Sequence, residues 1–164
     1  MRKMILAAVL VLTLGVFLPG SARPAVGGSD LPFAGSQTGV STVNVATGQF
    51  HAVSTGPATH FGLTVFEQRG QFIPTGPGTF DYLGTGTLTA ANGDQMFGTL
   101  SGSVSFSDSI HSTTVIDFVS NGGTGRFADA SLSFTGTAHG TRTSLVGSIA
   151  TGTFESTAVG RLSY

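Results

Sequence analysis

Between Met96 and Phe106 the chain alternates. Met96, Gly98, Leu100, Gly102, Val104 and Phe106 fall on one side, and every odd position from Thr99 to Ser105 is serine or threonine. Successive side chains of a strand point to opposite faces, so the segment reads as a strand with one apolar and one polar surface. Thr79 to Ala90 repeats the pattern, with Phe80, Tyr82, Leu88 and Ala90 set against Thr79, Asp81, Thr85, Thr87 and Thr89. Ser131 to Ala138 does so again, with Leu132 and Phe134 against Ser131, Ser133, Thr135 and Thr137. After residue 22 no stretch sustains a 3.6-residue period, and little helix is expected.

Strands are expected near 33–40, 42–53, 59–67, 79–90, 95–107, 112–119, 126–138, 143–150 and 152–163. The links are short. Asn92-Gly93-Asp94 carries hairpin chemistry, because glycine tolerates a positive φ. Sequential strands should therefore pair antiparallel. About eight strands, each with one polar face, suit an all-β, antiparallel, up-and-down barrel, which leaves no exposed edges. A β-sandwich is the alternative. Glycines on the apolar face, among them Gly84, Gly86, Gly98, Gly102 and Gly136, fit strong coiling around a narrow interior.

The one long apolar run lies elsewhere. Arg2 and Lys3, an uncharged stretch from Met4 to Leu18, and the small residues of Pro19-Gly20-Ser21-Ala22 have the three parts of a secretory signal peptide. The run is shorter than the roughly 20 residues of a membrane span. The expected organisation is a cleaved signal helix at 1–22, a flexible lead at 23–32, and a single β-barrel domain at 33–164, secreted or periplasmic. Removing the signal leaves five arginines, no lysine and eight carboxylates. Such a surface lacks the basic footprint of a nucleic-acid binder, and only the signal peptide is expected to meet a membrane. With no cysteine in the chain, stability must come from the core and the backbone ladder. Glycine, serine and threonine exceed two fifths of the residues after the signal, yet twelve phenylalanines spread among them argue for a packed domain over disorder.

Three segments then suggest relatives: Ala58-Thr59-His60-Phe61-Gly62, Thr89-Ala90-Ala91-Asn92-Gly93-Asp94, and Asn121-Gly122-Gly123-Thr124-Gly125-Arg126-Phe127-Ala128-Asp129-Ala130. In this order, between a signal peptide and a terminal Leu162-Ser163-Tyr164, they resemble a large group of secreted bacterial proteins. The Gly-Gly-Thr-Gly-Arg-Phe-Ala segment also resembles one in dirigent proteins, which share the calycin-like eight-stranded barrel of allene oxide cyclase. The resemblance implies that barrel and, for activity, ring closure or coupling of an apolar substrate within it. No active-site residue of either family can be matched to a position here.

The chemistry-bearing residues are few. Asn121 to Arg126 lacks the Gly-Lys-Ser/Thr ending and following helix of a phosphate loop, and reads as a tight glycine turn. His51, His60, His111 and His139 are scattered, without the convergent ligands zinc prefers, so neither metal nor cofactor is expected. His60 alternates away from Phe61, Leu63 and Val65, which suggests a hydrogen bond at a strand end. Among carboxylates, Glu67 continues the Phe61, Leu63, Val65 face and is placed at the mouth of the apolar interior. Asp108 continues the Leu100, Val104, Phe106 face. Asp117 shares a side with Val115 and Val119, although Ile116 and Phe118 make the opposite side equally apolar. Desolvation in such a place would raise a carboxyl pKa and suit it to acid–base work. The competing expectation puts Glu67 and Asp108 in solvent beyond the rim and pairs Asp117 with Arg126 or another arginine.

The leading expectation is a barrel that binds a small apolar ligand in its lumen or serves as a stable extracellular module. An enzyme of the cyclase or dirigent kind, with Glu67, Asp108, Asp117 or His60 as its acid or base, is the rival. An outer-membrane barrel is the third reading. It differs in requiring Phe80, Leu100, Phe106 and Phe134 to face outward. The pattern sets no oligomeric state.

Overall fold

The computed structural model describes residues 30–164, and the expected signal peptide and most of the expected lead lie outside them. Eight strands form β1 (Leu31–Asn44), β2 (Gln49–Ala58), β3 (Gly62–Gly76), β4 (Thr79–Thr89), β5 (Gln95–Phe106), β6 (His111–Gly123), β7 (Ser131–Val146) and β8 (Ile149–Ser163). Each pairs antiparallel with its sequence neighbours, and β1 pairs with β8 from Leu31↔Leu162 to Asn44↔Ile149, closing a barrel. That continuous fourteen-residue ladder rules out the sandwich, which would leave β1 and β8 as edges.

Several strand boundaries differ from expectation: β2 and β6 run on to Ala58 and Gly123, and β3 to Gly76, where ends at 53, 119 and 67 were expected. The first hairpin turns at 45–48, not near 41, because Val40 to Asn44 continue the ladder with β8. The segments 126–138 and 143–150 are replaced by a 3₁₀ turn at Gly125–Phe127 followed by one strand, β7, that crosses Gly140 without a break. β7 absorbs its irregularity in a register shift between Arg142 and Ser144.

The apolar faces of β4, β5 and β7 turn inward. Leu88, Leu100, Val104, Leu132 and Phe134 are buried, and Phe80 packs against the core. The outer wall carries Glu67, Arg69, Asp81, Asp117, Glu155 and Arg161 among threonines and single aliphatics. This is the reverse of a lipid-facing barrel, whose outward band is apolar. Coiling of this tightness needs glycine at facing positions. Gly70 on β3 and Gly84 on β4 are register partners, and a Cβ on either would run into the other strand's backbone.

The two ends of the barrel are built differently. At one end, where β1 begins and β8 finishes, Phe33, Phe61, Phe118, Phe127, Phe134, Leu132 and Leu162 fill the interior. Phe61 stacks on Phe127 with centroids 4.3 Å apart, and Phe118 on Phe134 at 5.0 Å. The segments 58–62, 89–94 and 121–130 meet here as a plug. Ala91 N–H donates to Phe61 O (3.0 Å), Thr124 N–H to Gln95 O (2.8 Å), and Arg126 Nη2 to His60 O (2.8 Å). The other end, framed by the turns at 45–48, 77–78, 107–110 and 147–148, is left open.

Candidate functional site: the open half of the lumen

The open end leads into a cavity of about 230 Å³. Its wall is apolar, with Val43, Phe50, Phe72, Phe80, Val104, Phe106, Ile116 and Phe154, relieved by the small residues Ser41, Ala52, Ala138, Ala150 and Gly152. Phe50, Phe72 and Tyr82 form an aromatic cluster on one side, with centroid separations of 4.4 to 5.5 Å. Gln68, Ile116, Ala138 and Phe154 line both this cavity and a smaller void of about 40 Å³ nearer the packed end, so they form the floor between the two.

Besides the hydroxyls of Ser41, Ser112 and Thr114, three larger polar side chains meet this apolar space. Tyr82, 3% exposed, donates its hydroxyl to Gln68 Oε1 at 2.6 Å. Burial pushes the Tyr82 phenol above its usual range, so it stays protonated and acts as a donor. Gln68 is 4% exposed, and its Nε2 has no protein acceptor among the described residues. Arg142 lines the mouth. Deeper in the lumen, three polar side chains satisfy one another: Ser54 Oγ donates to Gln37 Oε1 (2.7 Å), Gln37 Nε2 to Thr64 Oγ1 (2.8 Å), and Thr64 Oγ1 to Gly56 O (2.8 Å).

Comparison of the chain with known families, characterised proteins and solved structures found no match. The site must therefore be read from its own geometry.

None of the residues proposed from the sequence reaches the cavity. Glu67 sits on the outer face of β3, opposite in direction to Phe66 and Gln68. Its Oε1 accepts from Arg69 Nη2 (2.6 Å) and Nε (3.0 Å) and stands 3.1 Å from His51 Nε2. Arg69 first, and His51 after it, hold the Glu67 carboxyl below its ordinary range. The expected face of β3 is thus inverted. Leu63 and Val65 are 68% and 42% exposed, while Thr64, Phe66 and Gln68 are buried. The physical reason is that Thr64 and Gln68 find hydrogen-bond partners on the nearby strands β1, β2 and β4, which makes a partly polar inner face tolerable.

Asp108 lies in the turn between β5 and β6. It accepts from the amides of Ile110 (2.6 Å) and His111 (2.8 Å) and from His111 Nδ1 (2.8 Å). The His111 ring, followed by these amides, lowers its pKa to about 2. Asp117 faces outward and accepts from Thr135 Oγ1 at 2.6 Å. Arg126 is not its partner, being engaged with His60 O and, at 3.9 Å, Asp94. His60 occupies the β2–β3 turn with a left-handed φ of 67°, and its Nε2 contacts Pro32 O at 3.1 Å.

Gln68 and Arg142 were missed. The signal was available as polar residues at even positions, in phase with Phe66 and Phe72 on one strand and with Phe134 and Ala138 on the other. Among the described residues, no group of three His, Cys, Asp or Glu side chains could hold a metal. The arrangement can shelter an apolar body, donate hydrogen bonds and attract a negative charge. Of the ionisable side chains among the described residues, only Tyr82 and Arg142 line the cavity, and neither is a base near neutral pH.

Proposed function

We propose that this protein is an exported small-molecule-binding barrel, secreted or periplasmic, whose open lumen half holds one small, largely apolar ligand. The observation that carries this reading is the contrast within one interior. Half is filled by stacked phenylalanines, whereas the other half is an apolar cavity onto which an amide, Gln68 Nε2, opens without a protein acceptor among the described residues. A concave apolar site with a few convergent polar groups is the usual form of a small-molecule site, and 230 Å³ lies somewhat under the roughly 300–1,000 Å³ of typical clefts. The expected occupant is correspondingly small. Binding is favoured over the cyclase-like alternative because the cavity wall offers donors but no carboxylate or imidazole. The calycin-like resemblance supports the architecture and is silent on the ligand.

Ala52 is buried, lines the cavity and stands beside Gln68 in the β2–β3 register, which makes it the place to block the site. Titration of the mature chain with the neutral fluorophore N-phenyl-1-naphthylamine should give saturable enhancement at one site. Ala52→Met should weaken that binding at least about tenfold while preserving the circular dichroism spectrum. Equal binding by both proteins would refute the lumen site. Amino-terminal sequencing of protein exported by its own host tests the compartment, with a start shortly after Ala22 as the expected result.

A further inference from the structure

The Gln68 amide and the Arg142 guanidinium, both on the cavity wall, are related through the sheet. Gln68 pairs with Ala52, Ala52 with Ser41, Ser41 with Gly152, and Gly152 with Arg142. The row passes from β3 through β2, β1 and β8 to β7, halfway round an eight-stranded barrel. Gln68 and Arg142 therefore stand on opposite walls. Every residue between them is alanine, serine or glycine, so no large side chain on that row divides them. Strands of a closed barrel are tilted and staggered, so such a row climbs as it circles. Its buried end is Gln68, and its half-buried end, at the mouth, is Arg142.

Arg142 differs from the other arginines of the barrel. Arg69 reaches Glu67, Arg126 reaches Asp94, and Arg161 is exposed on the outer wall. Arg142 continues the inward face of Phe134, Ala138 and Gly140, and its guanidinium has no carboxylate or hydrogen-bond acceptor among the described residues. Its backbone is held firmly, with its N–H donating to Ile110 O at 2.8 Å, which ties β7 to the turn over the mouth. The register shift between Arg142 and Ser144 follows at once, and bulges of this kind re-aim side chains at barrel rims. Its cross-strand neighbour Gly152 has no side chain to cover it. The nearby acid, Asp108, is tied to His111 and two amides, and Glu155 is on the outer face.

A half-buried cation beside apolar walls, with no acidic neighbour, is a ready partner for an anion. A guanidinium fork matches a carboxylate with two parallel, charge-assisted hydrogen bonds. We infer that the ligand is a small apolar carboxylate, its body in the cavity and its carboxylate on Arg142 at the mouth. This rests on the lumen-binding reading and gives the bound molecule a charge and an orientation.

The test uses the mature chain and a matched pair of probes, 2-naphthoate and 2-naphthamide, in calorimetric titrations at neutral pH. The naphthoate should bind at least about tenfold tighter than the amide. Arg142→Gln should abolish that preference without weakening the amide, and Arg142→Lys, which keeps the charge but not the fork, should retain part of it. Equal affinities in the wild type, or a preference that survives in Arg142→Gln, would overturn the inference. If the neutral fluorophore binds at the Ala52-dependent site while naphthoate shows no advantage, the carboxylate assignment falls and lumen binding stands. If no probe binds the wild type, both fall.

Discussion

Individual polar residues inside this barrel fall into two groups, and the difference lies in whether their hydrogen-bonding capacity is complete. Ser54, Gln37 and Thr64 form a closed chain ending on Gly56 O, so they are part of the wall. Gln68 and Arg142 have groups left over, and both border the cavity. The charged residues outside are structural by the same criterion. Asp108 accepts three hydrogen bonds in its turn, and its pKa is depressed to about 2 from an ordinary 3.8. A carboxyl with a lowered folded-state pKa contributes stability that is complete above its unfolded pKa and is lost as pH falls toward the folded value. The window is therefore about pH 4 down to 2. Melting temperatures taken between pH 5 and pH 2 should fall more steeply for the wild type than for Asp108→Asn. Parallel curves would mean that the turn contributes nothing acid-sensitive.

At the scale of elements, β3 is where face assignment matters most. Two phases compete along it, Phe61-Leu63-Val65 and Phe66 with Phe72, and the structure selects the second. Truncating Phe66, which packs edge-on to Phe118 and Phe134, should cost about 3–5 kcal/mol in denaturant unfolding. Val65→Thr should stay within about 0.5 kcal/mol, because that side chain is on the wall. A reversal of the two would mean that the strand is in the opposite phase. The sequence made β4, β5 and the first half of β7 legible, since their polar positions are nearly all serine or threonine and their apolar ones aromatic or aliphatic. It did not do so for β3, because the justification for an inward Thr64 and Gln68 lies on β1, β2 and β4, in Gln37, Gly56 and Tyr82. The continuity of β7 through Gly140 was hidden for a related reason, in that only its pairing with β6 and β8 identifies a glycine-containing stretch as strand. The candidate site suffered most, as the carboxylates were followed while the neutral amide and the arginine in the inward phase were passed over.

The whole molecule is a tube stoppered at one end, and the division of labour predicts which changes should affect stability without touching binding. Arg126 is the fastener of the stopper. Its Nη2 donates to His60 O at 2.8 Å, its backbone N–H donates to Asp94 Oδ2 at 3.2 Å, and its guanidinium lies 4.7 Å from the centroid of Phe127, which stacks on Phe61. The pairing with Asp94 at 3.9 Å is partly exposed and adds little. The bond to a carbonyl from a charged donor and the contact over the ring together contribute about 2–3 kcal/mol. Arg126→Ala should therefore lower unfolding stability by about that amount. None of the residues that line the open cavity touches Arg126, so probe affinity measured well below the melting temperature should be unchanged. The converse holds for Ala52→Met, which fills the open half and leaves the stopper intact, so its effect should be on affinity first. Measuring both quantities for both variants gives a two-by-two comparison. Stability and affinity falling together in Arg126→Ala would show that the ends are coupled and that the open lumen depends on the packed one for its shape.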